Sequence, residues 1–316
     1  MINNIKRNGL KIQTYEREGF KWVDITQPSA RAIGALREQF PFFLDIDLRD
    51  CLPPNQRPKL LEREQYIFIV LLFPYFDEKT RVIKATELDL FIGKNFVVAN
   101  HEGVLKPLLD LAECFSGQKP LCTLEDMTNP AVWLHSILNS LLAGCFPMLT
   151  HLANDINALE SELFRETNAE TIREILRVKS NIVDMRKIMQ GHKHIIEKFM
   201  SSAHRIVNMN NLSVYYVDLV EHTKEIWDFL DNDRSTIDAL YESYVSLVTF
   251  ETSQSTKALS ALALIIFPMN LVAAVFAMRA DHMPFLGWPG DFWFMLGTVF
   301  LVMTVTVGYL RRKKWL

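Results

Sequence analysis

Hydrophobic positions along this chain change character twice. Up to about His101, short apolar runs rich in β-branched and aromatic residues ("KWVDI", "QYIFIVLLFPYF", "ELDLFIGKNFVVANH") alternate with helical stretches such as Ser29 to Gln39, which follows Pro28. Period-two runs beside helical ones predict a mixed α/β domain from Phe20 onward. Gly93-Lys94-Asn95, between two such runs, reads as a hairpin turn. From about Pro130 the strand signals stop and helical periodicity takes over. Ala131 to Leu149 is apolar enough to attract attention as a span, but His135, Asn139 and Pro147 and its continuation into "THLANDINALESELFRE" favour a buried helix outside the membrane. After a break near Thr167-Asn168, Glu170 to about Met200 reads as another helix, and Val214 to Thr256 as a third without Gly or Pro.

Two uncharged runs close the sequence. Ala258 to Met278 contains twenty-one residues without a charge, and about twenty apolar residues at 1.5 Å each cross a hydrocarbon core roughly 30 Å thick. Phe292 to Leu310 is also uncharged and follows a linker of thirteen residues, so the two runs predict a transmembrane hairpin with both chain ends on one side. Arg311, Arg312, Lys313 and Lys314 follow the second span and Lys257 precedes the first. Such basic boundaries mark the cytoplasmic face, and Trp315 suits the interface. If the third helix continues through Met278 it is a stalk well over 60 Å long that must pack on partners.

The predicted organisation is an α+β cytoplasmic domain over 1–129, a long helical stalk over 130–257, a transmembrane helix over 258–278, an external loop over 279–291, a second transmembrane helix over 292–310 and a basic cytoplasmic tail over 311–316. This is a multi-pass protein of a cell (inner) membrane with both termini cytoplasmic.

Composition adds few constraints to this organisation. The net charge of −3 and the absence of a basic, aromatic-interleaved patch give no sign of nucleic acid as a partner. The opening residues carry no sustained apolar segment or small-residue cleavage site, so no secretory signal is evident. Cys51, Cys114, Cys122 and Cys145 lack metal-site spacing and suit a reducing cytosol rather than a disulfide framework. His192 and His194 are two apart, which on a helix points their side chains away from each other. No phosphate loop, HExxH or GxSxG motif occurs, and an enzyme is not expected.

The segments "DCLPPNQRPKLLEREQYIFIVLLFP", "ELDLFIGKNFVVANHEG", "VWLHSILNSLLAGCFPMLTHLANDINALESELF" and "VYYVDLVEHTKEIWDFLDNDRSTIDALYESYVSL", followed by the hairpin and "RRKKWL", resemble the CorA-type divalent cation channels over nearly the whole chain. The resemblance implies a CorA-like funnel: a homopentamer in which the first transmembrane helix lines a central pore, the second packs outside it, and Mg²⁺ is the usual cargo, with no tightly bound cofactor. The family signature is Gly-Met-Asn at the outer end of the first span. "FPMN" (Phe267 to Asn270) lies mid-span, whereas aligning on Met283-Pro284 and on Lys257 puts Ala277-Met278-Arg279 on the signature. The family's Met-Pro-Glu-Leu is here Met283-Pro284-Phe285-Leu286, without its acid.

An uncharged amide ring can hold hydrated Mg²⁺ through its water shell. A ring of Arg279 instead places donors and positive charge there. The alternative is that Arg279 snorkels to headgroups of membrane lipid and pairs with Asp281, leaving Asp281 and His282 as weak cation contacts.

Counting back from Ala277 in steps of three and four gives Ala274, Asn270, Phe267, Ala263, Ser260, Thr256 and Ser253. Such a stripe of small and polar residues suits a water-lined wall, with Phe267 as a narrowing ring, or else close helix packing. Ser253 stands where the family usually has asparagine. By the same resemblance, Asp77, with Glu78 beside it, and Asp218 and Glu221 on the long helix are the expected regulatory divalent-cation ligands, contributed by two subunits. The expected function is a CorA-like divalent metal ion channel or transporter, for Mg²⁺ or another cation, with an altered selectivity mouth. The alternative is a nonconducting relative that serves as a membrane-anchored regulatory or interaction protein.

Overall fold

The computed structural model describes residues 11–53, 56–115, 129–163, 169–209, 211–278, 289–313 and 315. The chain divides into two units, one up to Tyr241 and one from Glu242 onward.

The first unit is built on a six-stranded sheet of β1 (Ile12–Arg17), β2 (Phe20–Thr26), β3 (Lys59–Glu62), β4 (Tyr66–Asp77), β5 (Val82–Gly93) and β6 (Phe96–His101), in the order β1-β2-β6-β5-β4-β3. Only β2 and β6 run parallel; the other neighbours are antiparallel. The hairpin expected at Gly93-Lys94-Asn95 joins β5 to β6. A Cβ at Gly93 would lie 2.0 Å from the Phe96 ring, so only glycine lets that ring fold back over the turn. The first strand, β1, has no apolar run to announce it. Its pairing with β2 depends on a tight turn in which Glu18 and Gly19 have φ of 48° and 83°, the left-handed pair that suits the twist of a hairpin.

Both faces of the sheet are covered, which is why every residue of β6 is buried. On one face α1 (Ala30–Gln39), capped by Ser29, and α2 (Asp45–Asp50) pack their apolar residues on Val23, Ile25, Phe68 and Phe91. On the other, Trp22 meets Tyr15 and Trp133 at 4.8 Å each, with Phe115 edge-on to all three. This second layer comes from α3 (Lys106–Phe115), α4 (Pro130–Ala143), α5 (Cys145–Leu163) and α6 (Ala169–Met189).

Two expected helices are each broken once. Ala131 to Leu149 divides at Gly144, where a Cβ would lie 2.9 Å from Pro107. Glu170 to Met200 divides at Gly191, before α7 (His192–Ser202), where a Cβ would lie 2.9 Å from Pro58. In both places the backbone turns against a proline from elsewhere in the chain, a close approach that periodicity along one segment cannot reveal. Half of the most apolar window in Pro130–Leu163 is buried inside the protein, against 6% for the two terminal windows. One cysteine expectation is also corrected: Cys114, near the end of α3, is disulfide-bonded, while Cys51 and Cys145 are free and buried.

His192 and His194 do part company, the first buried and the second exposed. The His192 ring stands edge-on to Phe73 at 4.7 Å and its Nδ1 lies 3.3 Å from the Met189 carbonyl. Burial pushes its pKa down to about 4. A depressed histidine pKa means that the unfolded chain binds the proton first. Stability is therefore intact above about pH 6.5 and falls toward pH 4, by up to about 3 kcal/mol. Thermal melts at pH 7.5 and 5 should show a smaller acid loss for His192→Leu than for the wild type. Equal acid loss in both proteins would exclude this histidine as a source.

A 3₁₀ turn at Ala203–Arg205 leads toward α8 (Ser213–Ala277), a single helix of 65 residues that contains Pro268 and continues across the boundary of the two units. The second unit consists of the remainder of α8 and of α9 (Asp291–Arg312).

Candidate ion pathway and acidic sensor

In the second unit α8 and α9 are long and apolar enough to cross a membrane. Between Ala258 and Ala277 only Ala261 is buried, and among the described residues of α9 only Leu310. The better-covered positions centre on Ala261, Ile265, Pro268, Val272 and Phe276 of α8, and on Met295, Val299, Val302, Thr306 and Leu310 of α9. Spacings of three and four put each set on one face of its helix. At 100° per residue, the row expected to line a pore lies roughly on the opposite side of α8 from this covered row. Ser253, Thr256, Phe267, Asn270, Ala274, Ala277 and Met278 are exposed, while Ser260 and Ala263 are partly covered.

Lys257 and Trp315 line the same recess of about 450 Å³, together with Thr249, Thr252, Thr256 and Ser260. The start of the first span and the end of the second therefore lie together, as a hairpin requires. Three of the threonines on this stretch turn their hydroxyls inward along the helix: Thr249, Thr252 and Thr256 donate to the carbonyls of Val245, Val248 and Thr252 at 2.7–2.8 Å. Arg311 and Arg312 are exposed, the Lys313 ammonium lies 6.0 Å from the Tyr309 ring centroid, and the Trp315 amide donates to the Leu310 carbonyl. Arg279, Asp281, His282 and Lys314 lie outside the described residues.

The candidate sensor acids are each engaged within the chain. Asp77 closes β4 and accepts from Lys84 at 2.5 Å and from the Lys79 amide at 3.0 Å. The Lys84 hydrogen bond is the main reason that its pKa falls to about 2. Asp218 lies 3.8 Å from His222, and Glu221 lies 2.8 Å from Lys224, which holds its carboxyl below the usual range. Both α8 acids are exposed. Among the described residues of one chain, no three His, Cys, Asp or Glu side chains group as metal ligands. A divalent ion at these acids would have to displace these partners and draw ligands from a second copy.

The largest concentration of buried polarity lies elsewhere and has no motif to signal it. Asp24 lies 3.1 Å from His101, both buried. Asp89 accepts from Asn100 at 2.8 Å beside Glu87 and Cys51, and burial raises the pKa of both acids. A single acid inside the apolar run "LDLFI" is the one hint in the sequence, since a buried strand seldom carries one unpaired.

The profile described as "CorA-like Mg2+ transporter protein" matches residues 17–312. The chain belongs to the CorA family. Among curated relatives, the cobalt/magnesium transport protein CorA of Thermotoga maritima is 24% identical over 295 residues, covering 93% of this chain and 83% of that one. The putative metal ion transporter YfjQ of Bacillus subtilis is 22% identical over 294 residues, covering 93% and 89%. The complete CorA magnesium transporter structure from Methanocaldococcus jannaschii superposes with a TM-score of 0.83 at 18% identity, covering 100% of this chain and 98% of that one. The full-length CmaX structure gives 0.74 at 15% identity, covering 98% and 91%. The CorA fold thus extends from the sheet through both long terminal helices.

Proposed function

We propose that this protein is a divalent cation transporter of a cell membrane, a homopentamer in which the exposed row of α8 lines the ion path. The supporting observation is the position of that row: it lies roughly opposite the better-covered row of α8, and Asn270, Ser253 and Thr256 on it are exposed, which suits a water-filled axis where copies meet. Carrying hydrated Mg²⁺ or a similar ion needs acceptors that contact its water shell without stripping it, because Mg²⁺ dehydrates reluctantly. Asn270 offers a carbonyl oxygen at mid-span, and Phe267, 73% exposed, supplies an apolar ring able to gate by dewetting. The membrane hairpin and the names borne by the relatives support the same reading. Both termini are assigned to the cytoplasm on the basis of the basic tail.

Asp77, Asp218 and Glu221 are assigned to an intersubunit sensor for divalent cations, with Lys84, His222 and Lys224 as the partners that an incoming ion displaces. Arg279 distinguishes this mouth from an amide ring and favours a second outcome, a protein that assembles but conducts poorly. Flux in proteoliposomes across Mg²⁺, Zn²⁺, Ni²⁺ and Cl⁻, with particle mass measured on the same preparation, separates the two. A pentamer passing a divalent cation is expected. A pentamer passing none of the ions supports the nonconducting reading, and a monomer or dimer overturns the axial path itself.

A further inference from the structure

A recess of about 530 Å³ opens in the first unit where the β5–β6 turn meets the 3₁₀ turn that ends in Arg205. Its floor is aromatic and its rim basic. Phe40 and Phe96 are buried, and Phe42 is half-buried beside them. The neighbours of Phe42 meet it at interplanar angles of 49° to 87°, so none of these rings stacks parallel on it. Lys21, Lys94 and Arg205 line the recess against one acid, Glu64. Lys21 is 3.2 Å from Glu16 and 5.8 Å from the Phe40 ring centroid, whereas Lys94 and Arg205 have no ion-pair partner among the described residues. Gly93 maintains this floor, because any side chain there would push Phe96 out of place.

Cations that merely solubilise a surface are scattered among acids. Three that line one recess with a half-buried aromatic ring combine the two elements that recognise a flat, anionic ligand: a ring face for stacking and donors for phosphate oxygens. The volume is that of a small-molecule site. We propose that this recess binds a nucleoside phosphate, with the base against Phe42 and the phosphates between Lys94 and Arg205. Neither the ion path nor the acidic sensor shares a residue with it, so the site stands independently of the transport reading.

Calorimetric titration of the full-length protein in detergent and metal-free buffer tests it, with ATP, inorganic triphosphate and adenosine as probes. Saturable ATP binding is expected, with triphosphate at least tenfold weaker and adenosine weaker still. Lys94→Ala and Arg205→Ala, both at exposed positions, should each weaken ATP about tenfold, and Phe42→Leu should weaken ATP while leaving triphosphate unchanged. Absence of saturable ATP binding, or wild-type affinity in both cation variants, overturns the site. Triphosphate binding as tight as ATP overturns the nucleoside assignment.

Discussion

Replacing Arg279 with asparagine should raise Mg²⁺ flux about tenfold. At an effective dielectric of about 80, a dication about 8 Å from one guanidinium is repelled by about 1 kcal/mol. A separation of one Debye length at physiological salt cuts this to about 0.4 kcal/mol. Five copies round an axis still add to about 2 kcal/mol, and removing 1.4 kcal/mol of barrier is a tenfold gain in rate. Asparagine also returns a carbonyl acceptor to a ring that had only donors. Arg279→Ala removes the repulsion without supplying the acceptor, so its flux should rise with less preference among cations. An arginine that snorkels to headgroups predicts something different: both substitutions then alter insertion or stability and leave transport alone. Equal Mg²⁺ flux in the three proteins at equal reconstituted amounts would refute a guarding role for this residue.

Asp47→Ala should destabilise the first unit by about 3–5 kcal/mol. Asp47 is fully buried and accepts from Arg63 Nε at 2.9 Å, Arg63 Nη2 at 2.7 Å and the Tyr66 hydroxyl at 2.7 Å. That hydroxyl accepts in turn from the Leu44 amide at 3.0 Å, which ties α2 to the start of β4. Removal of the carboxylate leaves a partly buried guanidinium without its counter-charge. The pair two residues earlier is an internal control. Arg37 and Asp45 are 2.6 Å apart but 62% and 54% exposed, and an exposed pair contributes about 1 kcal/mol at most. Melting temperatures in detergent should fall by roughly 10 °C for Asp47→Ala and by only a few degrees for Asp45→Ala. Similar losses in both variants would refute the assignment of burial as the decisive factor.

What the sequence reveals of this protein follows the range of the forces involved. The two terminal helices are legible because an uncharged length suffices to specify them, and α1 because Pro28 and Ser29 mark its start locally. The β5–β6 hairpin is legible because its turn residues lie between two apolar runs. β1 is not, since Ile12 and Tyr15 become core only when β2 folds back on them. The breaks at Gly144 and Gly191 are hidden for the same reason: Pro107 and Pro58 approach from elsewhere in the chain. At the sensor, Lys224 and His222 stand three and four residues from their acids and were open to a spacing argument. The Lys84 contact needed the β4–β5 register, in which Asp77 pairs with Val82. Cys114 belongs with these cases, because cysteine spacing alone gives no sign of its bond.

In the proposed ion path, the threonine hydroxyls near the Lys257 boundary bear on which sign of ion that stretch can solvate. Thr249, Thr252 and Thr256 each give their only hydroxyl hydrogen to a carbonyl of their own helix. Toward anything outside the helix they can offer only oxygen lone pairs. An anion at that depth finds nothing to accept from them, whereas the waters round a cation find acceptors already oriented. Along the proposed path, such neutral side chains would add a contribution to cation preference that changes neither with pH nor with the salt that screens a charged ring.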